Sequence, residues 1–169
     1  AIQLDPGLAQ AYNNRGLTYD ELGNTDAALA DYTQAIQLDP GDVQAYNNRG
    51  VTYDELGNTD AALADYAQAI QLDPGDAAAY INRGIVYAYQ KDYQSAIADF
   101  TKAIELDPED ASPVYGIACV FSLQGEVEQA CQWLARAISM DAKYKEMAAT
   151  DTDFDAIREQ PAFKRLLEE

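Results

Sequence analysis

Residues 9–42 read AQAYNNRGLTYDELGNTDAALADYTQAIQLDPGD, and residues 43–76 repeat them as VQAYNNRGVTYDELGNTDAALADYAQAIQLDPGD. The two copies differ only at Ala9/Val43, Leu17/Val51 and Thr33/Ala67. A looser copy covers 77–110, and one looser still covers 111–144. A fixed period of 34 residues is typical of arrays in which one supersecondary unit stacks on the next. Such arrays form continuous surfaces, so the repeat favours binding over catalysis.

Each copy has the pattern of a helical hairpin. Apolar residues such as Tyr12 and Tyr19 recur at helical spacing in its first half. A Gly-Asn pair then interrupts the pattern, and Asn24 is expected to cap a second helix. The Asp-Pro-Gly-Asp run at 39–42 ends that helix, because proline cannot continue it. We expect Asp42 to cap the first helix of the next unit.

Small and large residues recur in matching positions. Glycine stands in the middle of the first helix of three copies, at Gly16, Gly50 and Gly84. A glycine there costs about 1 kcal/mol relative to alanine, so its recurrence indicates the close approach of a neighbour. The side chains expected to fill the space opposite are Tyr32, Tyr66 and Phe100.

Arginine and aspartate recur as pairs. Arg15, Arg49 and Arg83 are each followed 16 residues later by an acid, Asp31, Asp65 and Asp99. In the fourth copy both partners are lost together, to Ile117 and Trp133. A coordinated loss is what a buried ion pair predicts, because keeping one partner would leave an uncompensated charge. The alternative is that these arginines contact a ligand.

These positions resemble a known family. The pattern Tyr–x3–Gly–x2–Tyr–x8–Ala–x3–Tyr–x2–Ala–x4–Pro is similar to that of the tetratricopeptide repeat. It is spelled by Tyr12, Gly16, Tyr19, Ala28, Tyr32, Ala35 and Pro40, and it recurs at Tyr46, Gly50, Tyr53, Ala62, Tyr66, Ala69 and Pro74, and at Tyr80, Gly84, Tyr87, Ala96, Phe100, Ala103 and Pro108. The fourth copy departs from it at Val114, Ala118, Phe121, Leu134 and Ala142. The resemblance implies an all-α α-solenoid, a right-handed superhelix of antiparallel helix pairs whose first helices line a concave groove.

The repeats predict the organisation of the chain. Residues 1–8, which begin AIQLDP like the end of each later repeat, are interpreted as the tail of a truncated upstream repeat. Four repeats are expected at 9–42, 43–76, 77–110 and 111–144, and capping helices at 145–169. In the last segment Pro161 is placed for the first turn of a short helix. The chain is thus interpreted as a fragment, which leaves its location undecided, with the cytoplasm favoured.

Composition limits the possible partners and chemistry. The net charge is −18, with 29 acidic and 11 basic residues, so nucleic acid and anionic lipid are poor partners. No apolar run approaches membrane-spanning length, so no membrane insertion is expected. A basic partner is favoured, although a solvated acidic surface is the alternative. The chain has no histidine, and its two cysteines, Cys119 and Cys131, are expected to be free thiols in apolar slots. We predict no catalytic residue, metal or cofactor.

The inner face of the first helices is the expected binding surface. Asn14, Asn48 and Asn82 recur once per unit, and an amide both donates and accepts, so such a ladder can hold a peptide backbone. The alternative is that these amides satisfy helix or loop groups. The third and fourth copies are more apolar there, which fits a ligand with basic residues and an apolar anchor. The predicted site residues are Asn13, Asn14, Asp20, Glu21, Asn47, Asn48, Asp54, Glu55, Ile81, Asn82, Tyr89 and Tyr115.

The favoured function is a non-enzymatic scaffold that binds a peptide or protein segment in its groove. A second hypothesis is a structural array that associates with itself through an exposed N-terminal edge. A third is the targeting region of a larger enzyme. A lysine and arginine clamp for a C-terminal carboxylate, which chaperone-binding members of the family use, is not matched. Its slots carry Asn13, Leu17, Asn48, Ala78 and Asn82.

Overall fold

The computed structural model describes residues 6–168, and within that range the protein consists of α-helices and one 3-10 turn, without a strand. The all-α prediction is therefore confirmed. None of the helices in this range is long and apolar enough to cross a bilayer. They are α1 (Pro6–Glu21), α2 (Thr25–Leu38), α3 (Val43–Glu55), α4 (Thr59–Leu72), α5 (Ala77–Tyr89), α6 (Tyr93–Leu106), α7 (Ser112–Leu123), α8 (Val127–Met140), α9 (Lys143–Thr150) and α10 (Pro161–Glu168), with the 3-10 turn at Thr152–Phe154.

Consecutive helices pack as hairpins. Turns of three residues join α1 to α2 and α3 to α4, and the members of each pair pack against each other, as do α7 and α8. Hairpins also pack against their neighbours at two junctions, because α2 contacts α3 and α6 contacts α7. The protein is therefore built from stacked helix pairs of the solenoid class.

The chain divides into two compact units within α5, after Val86. The first unit holds α1 to α4 and most of α5, and the second holds the remainder. We retain the predicted repeat boundaries as a proposal. Of the expected upstream tail at 1–8, residues 1–5 lie outside the described range, whereas 6–8 form the first turn of α1.

The turn between hairpins is held by two aspartates. Asp39 Oδ1 accepts a hydrogen bond from the Gly41 amide at 2.9 Å, and Asp42 Oδ1 accepts one from the Ala45 amide at 3.0 Å. The second bond caps α3 and confirms the prediction for Asp42. Asn24 occupies the N-cap position of α2, but its side chain makes no capping bond, so that prediction was wrong in its detail.

Glycine is required for two different reasons, close packing within the first helices and backbone conformation in the turns. A Cβ atom on Gly16 or Gly50 would lie 2.7 Å from the ring of Tyr32 or Tyr66, closer than carbon atoms approach. The predicted packing of these rings against glycine is confirmed. The turn glycines Gly23, Gly57 and Gly125 have positive φ values of 71°, 72° and 76°, which glycine adopts without strain. The third repeat places Lys91 there instead, at φ 63°.

The C-terminal segment closes the core of the second unit. Phe154, Ile157 and Phe163 are fully buried, and they belong to the same apolar cluster as residues of α7 and α8. Phe154 stacks on Phe163, with ring centroids 5.3 Å apart. α10 begins at Pro161, as predicted. The segment after Thr150 is thus an integral part of this unit.

Candidate ligand-binding surface of the first helices

The first unit contains a hollow along the inner face of its first helices. Its volume is about 600 Å³, and α1, α3 and the start of α5 all contribute to its wall. We call this cavity the α1/α3 hollow. Its lining includes Leu17, Gln44, Asn47, Asn48, Asp73 and Asp76. With Val43 and Ala78, three apolar side chains, three amides and two carboxylates thus line one cavity.

The asparagines are partly used between repeats. Asn48 Nδ2 donates to Asn13 Oδ1 at 3.0 Å, and Asn82 Nδ2 donates to Asn47 Oδ1 at 3.1 Å. Asn13 is only 1% exposed, so its predicted role in contacting a ligand is corrected to one inside the protein. Asn14 is exposed. The ladder of asparagines therefore links successive first helices, as the alternative interpretation anticipated in part.

The amides in the hollow retain hydrogen-bonding capacity. The bond to Asn82 uses the carbonyl oxygen of Asn47, and the bond to Asn13 uses one amino hydrogen of Asn48. Within residues 6–168 the side-chain amino group of Asn47 and the side-chain oxygen Oδ1 of Asn48 have no further hydrogen-bond partner, so a donor and an acceptor remain. One donor and one acceptor are the requirements of a peptide group.

The predicted acids differ in their surroundings. Asp20 is half-buried, and its Oδ2 accepts a bond from the Thr52 hydroxyl at 3.0 Å, so it too joins two repeats. Asp54 is also half-buried, and burial raises the pKa of its carboxyl group. Glu21 and Glu55 are exposed. Only the two glutamates are fully solvated charges.

Two acids of the hollow were missed by the sequence analysis. Asp73 and Asp76 flank the turn before α5, where each accepts a backbone amide hydrogen bond, from Gly75 at 2.8 Å and from Ala78 at 3.1 Å. They line the hollow as well. The Asp-Pro-Gly-Asp turn was interpreted only as a helix terminator, and nothing in the sequence shows that the turn borders the inner face of α3.

The arginines of the first two repeats form ion pairs with aspartates of the following helices. Arg15 binds Asp31 through two nitrogens at 2.6 and 2.8 Å, and Arg49 binds Asp65 at 2.8 Å through each of two nitrogens. Each guanidinium also lies over two tyrosine rings of its own helix, at 5.2 to 5.8 Å. The hydrogen bonds to Asp65 raise the pKa of Arg49. Two predicted pairs are confirmed, and the pairing of Arg83 with Asp99 stays a prediction.

Three further predicted site residues, Ile81, Asn82 and Tyr89, lie in different surroundings. Ile81 and Asn82 are half-buried on α5 in the first unit. Tyr89 belongs to the second unit and is largely exposed. These positions are accessible in whole or in part, and their contact with a ligand stays a prediction.

Tyr115 is covered by the C-terminal segment. Its hydroxyl donates to Asp151 Oδ2 at 2.7 Å, and its ring stacks on that of Tyr144, with centroids 4.7 Å apart. The ring of Phe154 lies against it at 5.7 Å. Burial is the main cause that raises the pKa of this phenol. The prediction of Tyr115 as a ligand-binding residue is therefore wrong, because the chain itself occupies that surface.

One group of side chains has the proximity of metal ligands. Atoms of Cys119, Asp151 and Asp153 lie within 4.8 Å of one another. Burial raises the pKa of the Cys119 thiol, and burial also raises the pKa of Asp153. A protonated thiol is a poor metal ligand. The three residues lie close together because the C-terminal segment packs against α7. Both cysteines are free, as predicted.

Comparison with known proteins identifies related folds. Two family models described as tetratricopeptide repeat match residues 13–77 and 77–110. No curated protein sequence matches the chain significantly. A crystal structure of MamA protein is similar, with a TM-score of 0.75, 23% identity, and coverage of 95% of this chain and 91% of that one.

Two further structures come with peptide-related descriptions. The first TPR of Spaghetti (RPAP3), bound to the HSP90 peptide SRMEEVD, has a TM-score of 0.68 and 24% identity, and the match covers 71% of this chain and 95% of that one. YrrB, described as a TPR protein with an unusual peptide-binding site, has a TM-score of 0.70 and 17% identity, with 93% and 81% covered. At these identities the likeness shows the fold alone.

Proposed function

Because this chain is a tetratricopeptide repeat protein, we propose that it binds an extended segment of another protein in the α1/α3 hollow. In this proposal it is an interaction module without catalysis of its own. The observation that carries the proposal is the lining of the hollow, where amides, carboxylates and an exposed leucine line one concave surface. Concave surfaces with a few polar groups on a largely preformed wall are the usual setting for ligand binding.

The ligand backbone is held by the amides. Asn47 offers an amino group and Asn48 a carbonyl oxygen, so together they match the carbonyl oxygen and the amide hydrogen of a peptide group. Both residues are fixed by bonds to the neighbouring repeats. A fixed amide loses little conformational freedom on binding, which favours affinity. Recognition through the backbone leaves much of the ligand sequence unspecified.

The charge of the hollow favours a basic ligand. Asp73 and Asp76 line it, and the cations of the first two repeats are neutralised by ion pairs with Asp31 and Asp65. The exposed Glu21 and Glu55 add to the negative field. A basic segment would be attracted, and added salt would weaken that attraction because the charges are solvated.

An apolar side chain of the ligand would rest on Leu17, which is 40% exposed at the wall of the hollow. In this proposal Ile81, which lies on α5 in the same unit, provides further apolar surface. The HSP90 peptide bound by Spaghetti is acidic, so we expect this acidic hollow to reject such a peptide.

Peptide selection tests the proposal. A displayed library of random peptides is selected on the wild-type chain, and the affinities of recovered peptides are then measured for Leu17→Arg and Leu56→Arg. Leu56 is exposed in the same unit but does not line the hollow, so its variant is a matched control. We expect basic peptides whose affinity falls about tenfold or more in Leu17→Arg, through bulk and charge repulsion, and hardly changes in Leu56→Arg. Peptides that bind both variants like the wild type would place the function elsewhere.

Self-association through the N-terminal edge is the second candidate. Leu8 in the first turn of α1 and Leu22 in the turn after α1 are exposed, which leaves apolar surface on the first hairpin. A molecular mass that rises with protein concentration, in the absence of peptide, would support this candidate over groove binding.

A further inference from the structure

A second hollow lies beside the α1/α3 hollow in the first unit. Its volume is about 280 Å³, and its lining includes Gln10, Asp39, Asp42, Val43 and Gln44. Because it lies at the turn between the first two hairpins, we call it the turn hollow. Val43 and Gln44 line the α1/α3 hollow as well. The two cavities therefore share a wall at the start of α3.

The two hollows are equivalent positions of successive repeats. Asp39 and Asp42 line the turn hollow, and the residues 34 positions later, Asp73 and Asp76, line the α1/α3 hollow. Each hollow thus holds two carboxylates from the turn that precedes a first helix. Among residues 6–168 no lysine or arginine lines either cavity. A cleft lined by charges of one sign concentrates ions of the opposite sign, so both hollows favour cations.

The four aspartates retain hydrogen-bonding capacity for a ligand. Oδ1 of each accepts a backbone amide hydrogen bond within its own turn, at 2.8 to 3.1 Å. A carboxylate has a second oxygen, Oδ2, which can accept from a cation. A lysine ammonium has three donors, enough for both carboxylates of one hollow. Each hollow therefore suits one cationic side chain.

The packing of the first helices sets the distance between the two cation positions. Asp42 caps α3, and Asp76 directly precedes α5. These two helices are neighbours, joined by the hydrogen bond from Asn82 to Asn47 at 3.1 Å. Helices in contact have axes about 8–10 Å apart. Two cations of one ligand must therefore be about 8–10 Å apart to reach equivalent positions.

A polyproline II segment repeats at this distance, and a β-strand does not. Polyproline II rises about 3.1 Å per residue with three residues per turn, so every third side chain points the same way, about 9.3 Å further on. Side chains on one face of a β-strand are about 6.6 or 13.2 Å apart, because successive residues alternate between faces. The β-strand residue at about 10 Å, three positions on, lies on the opposite face.

We propose that the two hollows recognise a polyproline II segment with lysine or arginine at every third position. One cation would bind Asp39 and Asp42 in the turn hollow, and the next would bind Asp73 and Asp76 in the α1/α3 hollow. This inference rests on the proposed function, because it assigns a ligand class to the same surface. Charge complementarity specifies the occupant, and the helix spacing specifies its period.

Three fluorescent peptides of equal composition test the spacing. Each has eight residues, six prolines and two lysines, and the lysines are separated by three, two or four positions. Lysine keeps its backbone N–H, so every peptide presents a complete peptide group to Asn47 and Asn48. Anisotropy is titrated with the full chain at low salt. We expect the three-position peptide to bind about fivefold tighter than the others, since it alone places a lysine in each hollow and exposed ion pairs are individually weak.

Charge variants test whether the hollows cause this preference. Asp42→Asn combined with Asp76→Asn removes one charge from each hollow, while asparagine retains an oxygen that can cap a helix. Asp26→Asn combined with Asp60→Asn is the matched control, because these aspartates are exposed, are also 34 residues apart and line neither hollow. The preference for the three-position spacing should disappear in the first double variant and persist in the second.

The inference is overturned if the three peptides bind equally or not at all, or if both double variants change the preference alike. Library peptides that lose affinity in Leu17→Arg but lack the three-residue spacing of cations would uphold the proposed function and overturn this inference. A spacing preference that depends on Asp42 and Asp76 but not on Leu17 would support this inference and contradict the apolar contact of the proposed function.

Discussion

Identical residues in neighbouring repeats differ in exposure and in hydrogen bonding. Asn14 and Asn48 stand in the same local sequence, YNNRG, yet Asn14 is exposed and Asn48 is bonded to a buried amide. The difference comes from a partner 35 residues earlier in the chain, which Asn48 has and Asn14 has not within the described residues. The sequence therefore predicts which residues recur, but it does not predict which of them face solvent.

Asn48→Ala should destabilise the protein, whereas Asn14→Ala should not. The first substitution leaves the buried Asn13 oxygen without its donor, which costs about 1–3 kcal/mol. The second changes an exposed side chain and should stay within about 0.5 kcal/mol of the wild type. Urea unfolding of both variants measures the difference. Equal stabilities would mean that the Asn13–Asn48 bond contributes nothing, and loss of peptide binding by Asn48→Ala is interpretable only after this comparison.

The ion pairs were predictable because the sequence itself carries the covariation. Arginine and aspartate disappear together in the fourth copy, which is a signal of contact, and two of the pairs are present in the structure. The third hydrogen bond of Arg49, to Thr33, gives no such signal, since Ala67 replaces the threonine in the next repeat without loss of Arg83.

A double-mutant cycle on Arg49→Leu and Asp65→Leu should show coupling. Each single change strands a partly buried charge, so the double variant should be more stable than additivity predicts, by about 1–3 kcal/mol. The same cycle at Arg15 and Asp31 should give less coupling, because the Arg15 side chain is more exposed. Thermal and urea unfolding provide the free energies. Additive effects at Arg49 and Asp65 would contradict a coupled pair.

At the scale of helices and turns, the structure separates a correct capping prediction from an incorrect one. Asp42 caps α3, and Asp92 caps α6 by accepting from the Ser95 amide. Asn24 and Asn58 occupy the same position as Asp92 with similar backbone angles but make no such bond. Residue type and position therefore predicted the helix boundary, while among these three turns only the aspartate makes the side-chain bond.

Lys91→Gly should stabilise the protein. The equivalent turn residue is glycine in the other three repeats, and Lys91 adopts a left-handed conformation that costs a residue with a Cβ atom about 1 kcal/mol. Part of the gain is offset by the greater freedom of glycine in the unfolded chain, so we expect about 0.5 kcal/mol and a rise in Tm of about 2 °C. Lys91→Ala is the control and should bring no gain. Equal melting temperatures for the two variants would show that φ is not the cause.

At the scale of the whole molecule, the fold was predictable and the location of the C-terminal cover was not. Helical periodicity, turn residues and the 34-residue period together predicted stacked helix pairs. The tail was expected to cover the end of the stack, and Phe154, Ile157 and Phe163 are indeed buried. That it also covers Tyr115 depends on the path of the chain after Thr150, which no periodicity encodes.

Deleting residues 151–169 should destabilise the second unit and expose Cys119. Three fully buried side chains are lost, Phe154, Ile157 and Phe163, and each contributes about 1.5–3 kcal/mol of burial. We expect a large fall in Tm or aggregation. A thiol reagent should label only the half-buried Cys131 in the full chain and both cysteines in the truncated protein. Phe154→Ala is a milder variant that should lower Tm without unfolding the chain. A truncated protein with unchanged Tm and an unreactive Cys119 would show that the segment is not part of the core.

The hydrogen bonds between successive first helices have a consequence for how the gene that encodes this array can change in length. Asn48 pairs with Asn13 and Asn82 with Asn47, so each repeat meets its predecessor through the same atoms. Excision of residues 43–76 would bring Asn82 to the place that Asn48 now occupies beside Asn13. Duplication of that stretch would likewise recreate an existing junction. Recombination in steps of 34 codons therefore preserves these junctions while the length of the array changes, whereas an insertion of another size within a first helix shifts the junction out of register.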